Sequence, residues 1–157
     1  MKGVYVLLIR ASENVSIQIG SLGRVSFKKG IYGYVGSAQS SLFPRLKRHF
    51  AMTKKLHWHI DFLTTAKSAR VERAIYAAAN GKTFECLLGR RLSSLSFSKP
   101  VPNFGSTDCK RGCGAHLFQF QATTKEAVSA IVECLVHLGL EPQAYGRVTS
   151  LSAAGSM

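Results

Sequence analysis

The apolar positions of this chain change period as it is read. Residues 3–9 (GVYVLLI) are apolar at odd and even positions alike, the pattern of a central strand covered on both faces. Residues 15–19 then alternate, Val15, Ile17 and Ile19 against Ser16 and Gln18, which predicts a half-exposed strand. Gly20 to Gly23 reads as a turn, and Val25 and Phe27 resume the alternation. Lys28–Lys29–Gly30 is a second turn, ahead of a strand over 31–35 (IYGYV) that closes at Gly36. The first 36 residues are therefore expected to form a short antiparallel meander.

Helical spacing follows. Leu42, Leu46 and Phe50 recur at i, i+4 and i+8, with Pro44 in the first turn, where a missing N–H costs little. Residues 57–65 suit a short helix with Trp58 and Phe62 inward, and the alternation of Val71, Ile75 and Ala77 favours a strand over 70–77. After a turn at Asn80–Gly81, residues 83–95 carry Phe84, Leu87, Leu88, Leu92 and Leu95 at helical spacing. Residues 96–114 are rich in Ser, Pro and Gly and read as a long loop, a feature that is usually functional in a compact domain. A returning strand over 116–121 precedes Thr123 and Glu126, a capping-box pair that opens a helix running to Leu138 and ending at Gly139. The expected class is α+β: a small antiparallel sheet flanked by helices, one domain over 1–148 with a frayed tail over 149–157.

Composition narrows the function. The 157 residues are 46% apolar, enough for a core, which excludes a disordered basic tail. No apolar run approaches the roughly 20 residues that span a bilayer. Arg10 interrupts the first apolar run, and no small-residue cleavage site follows it. No membrane partner is therefore expected. Four cysteines are too few for a disulfide scaffold, so a reduced, cytoplasmic setting is expected. The 21 Lys+Arg outnumber 8 Asp+Glu, and residues 1–60 hold ten basic residues against the single acid Glu13. Such asymmetry points to a polyanion, nucleic acid above all. Lys28, Lys29, Lys47, Arg48, Lys54 and Lys55 are the candidate grip in that half, with Lys110 and Arg111 further on. A basic, merely solvated surface is the plain alternative.

Some residues offer chemistry. Arg45 and His49 lie four apart and share a helix face. A guanidinium can hold a phosphate and offset transition-state charge, and an imidazole can take a proton near neutral pH. A basic face that grips without cutting fits the same pair. Tyr5 and Tyr34 each sit beside glycine in a strand, as phosphate-binding phenols or as core residues. Glu85, near a helix start, suits either a Mg²⁺ ligand or a first-turn acid facing the helix dipole. In KKLHWHIDFL (54–63), His57 and Asp61 are spaced to pair, Trp58 and Phe62 suit the core, and His59 suits a phosphate contact or a half-buried packing role. Cys109, Cys113 and His116 offer three zinc ligands, with Asp108, His57, His59 or Cys86 for a fourth. That spacing is not a standard finger and plain packing fits it better, while a Cys109–Cys113 disulfide is disfavoured in a reducing setting.

Taken together, Gly3–Val4–Tyr5, Tyr34–Val35–Gly36, the following Arg45 and His49, and Glu85 on a later helix resemble the GIY-YIG nuclease superfamily. YVGSA, RLKRHF, KKLHWHIDFL, FEC and FGSTDC with a following His-Leu resemble its small branch known as domain of unknown function family 123. Some members of that branch are fused to endonuclease III-type glycosylases. The likeness covers roughly residues 2–121. It implies a metal-dependent endonuclease that nicks DNA in repair or recombination, with Mg²⁺ or Mn²⁺ on Glu85. Arg45 would clamp the scissile phosphate, Tyr5 and Tyr34 would position phosphate or nucleophile, and His49 would be the general base. Lys99, Pro100 and Asn103 resemble the superfamily's closing Lys-Pro and Asn. The 28 residues between Tyr5 and Tyr34 exceed the usual spacing, which implies a hairpin inserted over 15–27. The alternative is a non-catalytic nucleic-acid-binding module with a vestigial site, accessory to a repair enzyme.

Overall fold

The computed structural model describes residues 1–105 and 113–146. The expected tail over 149–157, and Asp108, Cys109, Lys110 and Arg111, lie outside the described residues. The first strand, β1 (Gly3–Ala11), is buried at every position but Arg10. Its even residues Val4, Val6 and Leu8 feed one core and its odd residues Tyr5, Leu7 and Ile9 feed another. A strand with two apolar faces must be covered on both, and the rest of the fold supplies that cover.

The expected meander is corrected. Strand β2 (Val15–Ile19) pairs with β3 (Gly23–Phe27) as a separate two-stranded sheet, and β4 (Gly30–Ala38) returns to lie antiparallel against β1. The physical reason is in the alternation. Each hairpin strand ends in a buried residue, Ile19 or Phe27, but exposes Ser16, Gln18, Arg24 and Ser26. Such a ribbon covers a core with one face and cannot sit inside a sheet covered on both.

Helices α1 (Leu42–Phe50) and α2 (His59–Thr64) join the hairpin on the odd-residue side of β1, where Leu42, Leu46, Ile60 and Leu63 are buried. Strand β5 (Ala69–Ala78) pairs with the other edge of β1. Helix α3 (Gly81–Ser93), short strands β6 (Ser98–Pro100) and β7 (Leu117–Phe120), helix α4 (Thr124–His137) and strand β8 (Gln143–Tyr145) follow. The main sheet runs β6-β7-β4-β1-β5-β8, with every pairing antiparallel. Leu88 and Leu92 of α3 and Ala127, Val128, Ile131 and Leu135 of α4 close the even-residue side. The architecture is α+β, a six-stranded antiparallel sheet between two helical layers, with the hairpin inserted between β1 and β4. The capping box forms as expected: Glu126 N donates to Thr123 Oγ1, and Thr123 N to Glu126 Oε1. Among the described residues, no helix is long and apolar enough to cross a membrane.

Candidate active site

Register places the site. Tyr5 lies opposite Gly36 and Leu7 opposite Tyr34, so the two tyrosines come from neighbouring strands on one face of the sheet. A Cβ on Gly36 would lie 2.5 Å from the Tyr5 ring and hydroxyl, so only glycine lets that phenol cross β4. Gly3 does the same for α1: a Cβ there would meet Leu42 Cδ2 at 2.8 Å. Strand β7 pairs with β4 only over Ile31–Tyr34, so the end of β4 runs beyond it.

At that end Ser37 binds two groups. Its hydroxyl donates to Glu85 Oε1 at 2.7 Å, and its carbonyl accepts from Arg45 Nη1 at 2.7 Å. Glu85 belongs to α3 and Arg45 to α1, helices from opposite layers, which meet around the end of one strand. The Glu85 side chain is 15% exposed, and its other oxygen lies 3.6 Å from His116 Nδ1. Arg45 Cζ also lies 4.9 Å over the Trp58 ring. Beside it opens a cleft of about 400 Å³, lined by Ser40, Ser41, Pro44, Arg45, Arg48 and Trp58.

Tyr5 Oη and His49 Nε2 share a hydrogen bond of 2.6 Å. His49 is buried, with its Nδ1 unpartnered among the described residues. The Tyr34 and His49 ring centroids are 6.1 Å apart. Burial pulls the His49 imidazole down to about 3, reinforced by Lys54 and opposed by Asp61, so it stays neutral. Burial likewise pushes the Tyr5 phenol well above its ordinary value, helped by Tyr34 and Glu85 and opposed by Arg45. Tyr34 is raised by burial and then by Glu85 and Asp61, again against Arg45. Both phenols are therefore neutral donors at pH 7. A base held near 3 takes little proton from so weak an acid, so the geometry suits His49 to orienting Tyr5 from behind. Tyr5, Tyr34, Arg45, His49 and Glu85 thus form one neighbourhood.

The basic residues divide. Arg48 donates to both carboxylate oxygens of Asp61, at 2.8 and 2.9 Å, and to the Lys55 carbonyl at 2.8 Å. Lys54 Nζ caps α1 by donating to the Arg48 and His49 carbonyls, and burial lowers it to about 8. Both side chains have internal partners. Lys28, Lys29, Lys47 and Lys55 are exposed. The first two sit at the far end of β4 from Ser37, roughly 26 Å along an extended strand.

Several candidates take local roles. The expected His57–Asp61 side-chain pairing is corrected: Asp61 Oδ2 accepts from the backbone N–H groups of His57 and Trp58, while Arg48 takes both carboxylate oxygens. That shortens the expected helix, because the two amides Asp61 collects precede His59, where α2 begins. His59 Nδ1 accepts from Gly105 N at 3.0 Å, and its ring lies 5.6 Å from Phe104. Asn103 is exposed in a turn after β6, at a positive φ of 62°, next to Phe104, whose ring centroid lies 6.4 Å from that of Tyr34. Sequence reasoning gave Ser37 no role. Its one signal was position, a small polar residue directly after Tyr34–Val35–Gly36. It also left unseen that His116 faces Glu85.

The family model described as Domain of unknown function DUF123 matches residues 4–137. The chain belongs to that family. The matched stretch contains all five site residues and the whole of α1 to α4. No curated protein and no solved structure matches this DUF123 chain.

Proposed function

We propose that this DUF123 chain is a divalent-metal-dependent endonuclease of the GIY-YIG type that nicks DNA. The observation that supports this best is Ser37, whose hydroxyl and carbonyl hold Glu85 and Arg45 at one strand end. An anion beside a cation, with two neutral phenols, is the charge pattern that phosphodiester hydrolysis requires. Arg45 offsets the charge that develops on the phosphoryl oxygens, since a guanidinium fits two oxygens at once. Tyr34 donates a hydrogen bond to a phosphate oxygen or to the attacking water, and Tyr5 does so in the tautomer in which His49 Nε2–H donates to its oxygen and leaves its proton free. His49 fixes the direction of the Tyr5 hydroxyl.

Glu85 fits a hard cation. Among the described residues each of its oxygens has one polar partner, Ser37 or His116, and a carboxylate has about four lone-pair sites. Mg²⁺ or Mn²⁺ would be held by this one carboxylate with water and phosphate oxygens, and would supply Lewis-acid stabilisation of the leaving oxygen. Binding rests on the exposed Lys47 and Lys55 and on the net charge of +13.

The test is nicking of supercoiled plasmid with Mg²⁺ added or omitted. Wild type is expected to nick only with the metal. Arg45→Ala is expected to lose about 100- to 1,000-fold, the usual effect of removing one transition-state donor. Glu85→Ala is expected to fall to background. Protein that binds DNA without metal-dependent nicking, and binds it unchanged in both variants, defeats the nuclease reading and leaves the accessory module.

A further inference from the structure

One cluster plays no part in the chemistry above. Cys86, Cys113 and His116 place one ligand atom each within 4.8 Å of one another. Cys86 is the residue after Glu85 on α3, while Cys113 and His116 precede β7. The segment joining Cys113 to His116 is Gly-Ala, short enough to present both from one turn.

A second observation concerns His116. The residue is 3% exposed, and its Nε2 has no hydrogen-bond partner among the described residues. An orphaned ring nitrogen at that depth loses solvation without recompense. The other nitrogen, Nδ1, faces Glu85 Oε2 at 3.6 Å. A carboxylate behind one imidazole nitrogen, with the other left for a metal, is the usual support of a histidine ligand. Drawn in to hydrogen-bond distance, it would select the tautomer and strengthen the donor.

We propose that Cys86 Sγ, Cys113 Sγ and His116 Nε2 hold a zinc ion, with Glu85 orienting His116 from behind. Donor chemistry selects the metal. Two thiolates and an imidazole suit Zn²⁺, whereas Mg²⁺ and Ca²⁺ require oxygen ligands. Binding releases the two thiol protons, and the two thiolates balance the ion's charge. Zinc completes a four-coordinate shell with one more donor, protein or water. Cys113 lines a cleft of about 350 Å³ with Gly89, Arg90 and Gly114.

The consequence is positional. Zinc pins α3 to the segment ahead of β7, and Glu85 sits beside one ligand and against another. The soft site thereby holds in place the carboxylate that the proposed hard site needs. The zinc inference does not rest on the nuclease reading, since it follows from the ligand geometry alone.

The experiment is elemental analysis of the full chain purified without chelator. About one zinc per chain is expected. Cys86→Ser and Cys113→Ser should each reduce it at least tenfold, and Cys134→Ser, on α4, should keep it. Stripping the zinc should lower Tm by more than about 5 °C, because a ligand bound only to the folded state stabilises it. Arg45→Ala should keep its zinc whether or not it nicks DNA, so the two readings fail separately. If the cysteine variants do not fold, wild type loaded with Co²⁺ decides the matter. Thiolate-to-cobalt charge-transfer absorption supports the site, and its absence overturns it. Folded wild type that neither carries zinc nor takes it up, or zinc content equal in all variants, also overturns it.

Discussion

Two carboxylates, Asp61 and Glu85, are treated differently: Asp61 pairs directly with Arg48 of α1, whereas Glu85 and Arg45 of α1 are joined only through Ser37. Asp61 is fully buried and satisfied: it accepts two bonds from Arg48 and two from backbone amides. Burial alone would raise its pKa, but the Arg48 bonds and the Trp58 and His57 amides hold it below the ordinary carboxylate range. Glu85 keeps part of its side chain in solvent and accepts one short bond, from Ser37, with Arg45 held on the other side of the same residue. A charge surrounded by donors is finished and stabilises a fold. A charge with coordination to spare is available to a ligand. Two arginines three residues apart on one helix thus have different uses, which charge counting cannot reveal.

The comparison can be broken by exchanging stability for activity. Asp61→Ala strips the Arg48 guanidinium of its carboxylate, leaving it only the Lys55 carbonyl and the Trp58 face, and orphans two amides, and is expected to cost about 3–5 kcal/mol in urea unfolding. Glu85→Gln, which keeps a partner for Ser37, is expected to cost less than about 1 kcal/mol while nicking is lost. Equal costs at the two positions would erase the distinction. Next in size is Gly36→Ala, whose methyl must displace the Tyr5 phenol. A cost of about 1–3 kcal/mol is expected from overpacking, with nicking reduced beyond what the lost stability explains. An unchanged unfolding midpoint would show that Tyr5 does not cross β4 as described.

A further effect is in pH. His49 binds its proton near 6.5 in the unfolded chain but only near 3 when folded. Between those values the unfolded chain holds more protons, so stability falls as pH falls, by up to about 1.4 kcal/mol per pH unit for this one group. The depressed Asp61 acts in the same direction at the acid end. Urea midpoints at pH 7, 6 and 5 should therefore decline, and decline less steeply in His49→Gln. Equal slopes in the two proteins would remove His49 as the cause.

Much of the fold was legible because period reports burial. The unbroken apolar run of β1, the alternation of the hairpin, the Leu42–Leu46 stripe and the Thr123–Glu126 cap each map onto what forms. Pairing was less legible. Nothing in residues 15–27 states that the hairpin leaves the sheet; that follows from which faces the helices later cover. Strand β8 was missed because three residues, two of them exposed, carry no period, and they form a strand only because the edge of β5 is free to pair. Strand β6 hid in a Ser- and Pro-rich stretch for the same reason. The five expected site residues were legible as types, but Ser37 was not. A small hydroxyl has no signature until two helices converge on it.

The account stands most directly on a crystal of the chain with a short DNA duplex and Mn²⁺, read by anomalous scattering. It predicts manganese on Glu85 and a backbone phosphate between that ion and Arg45, within hydrogen-bond reach of Tyr34. Manganese away from Glu85, with the duplex seated instead on the distant Lys28–Lys29 turn, would contradict it.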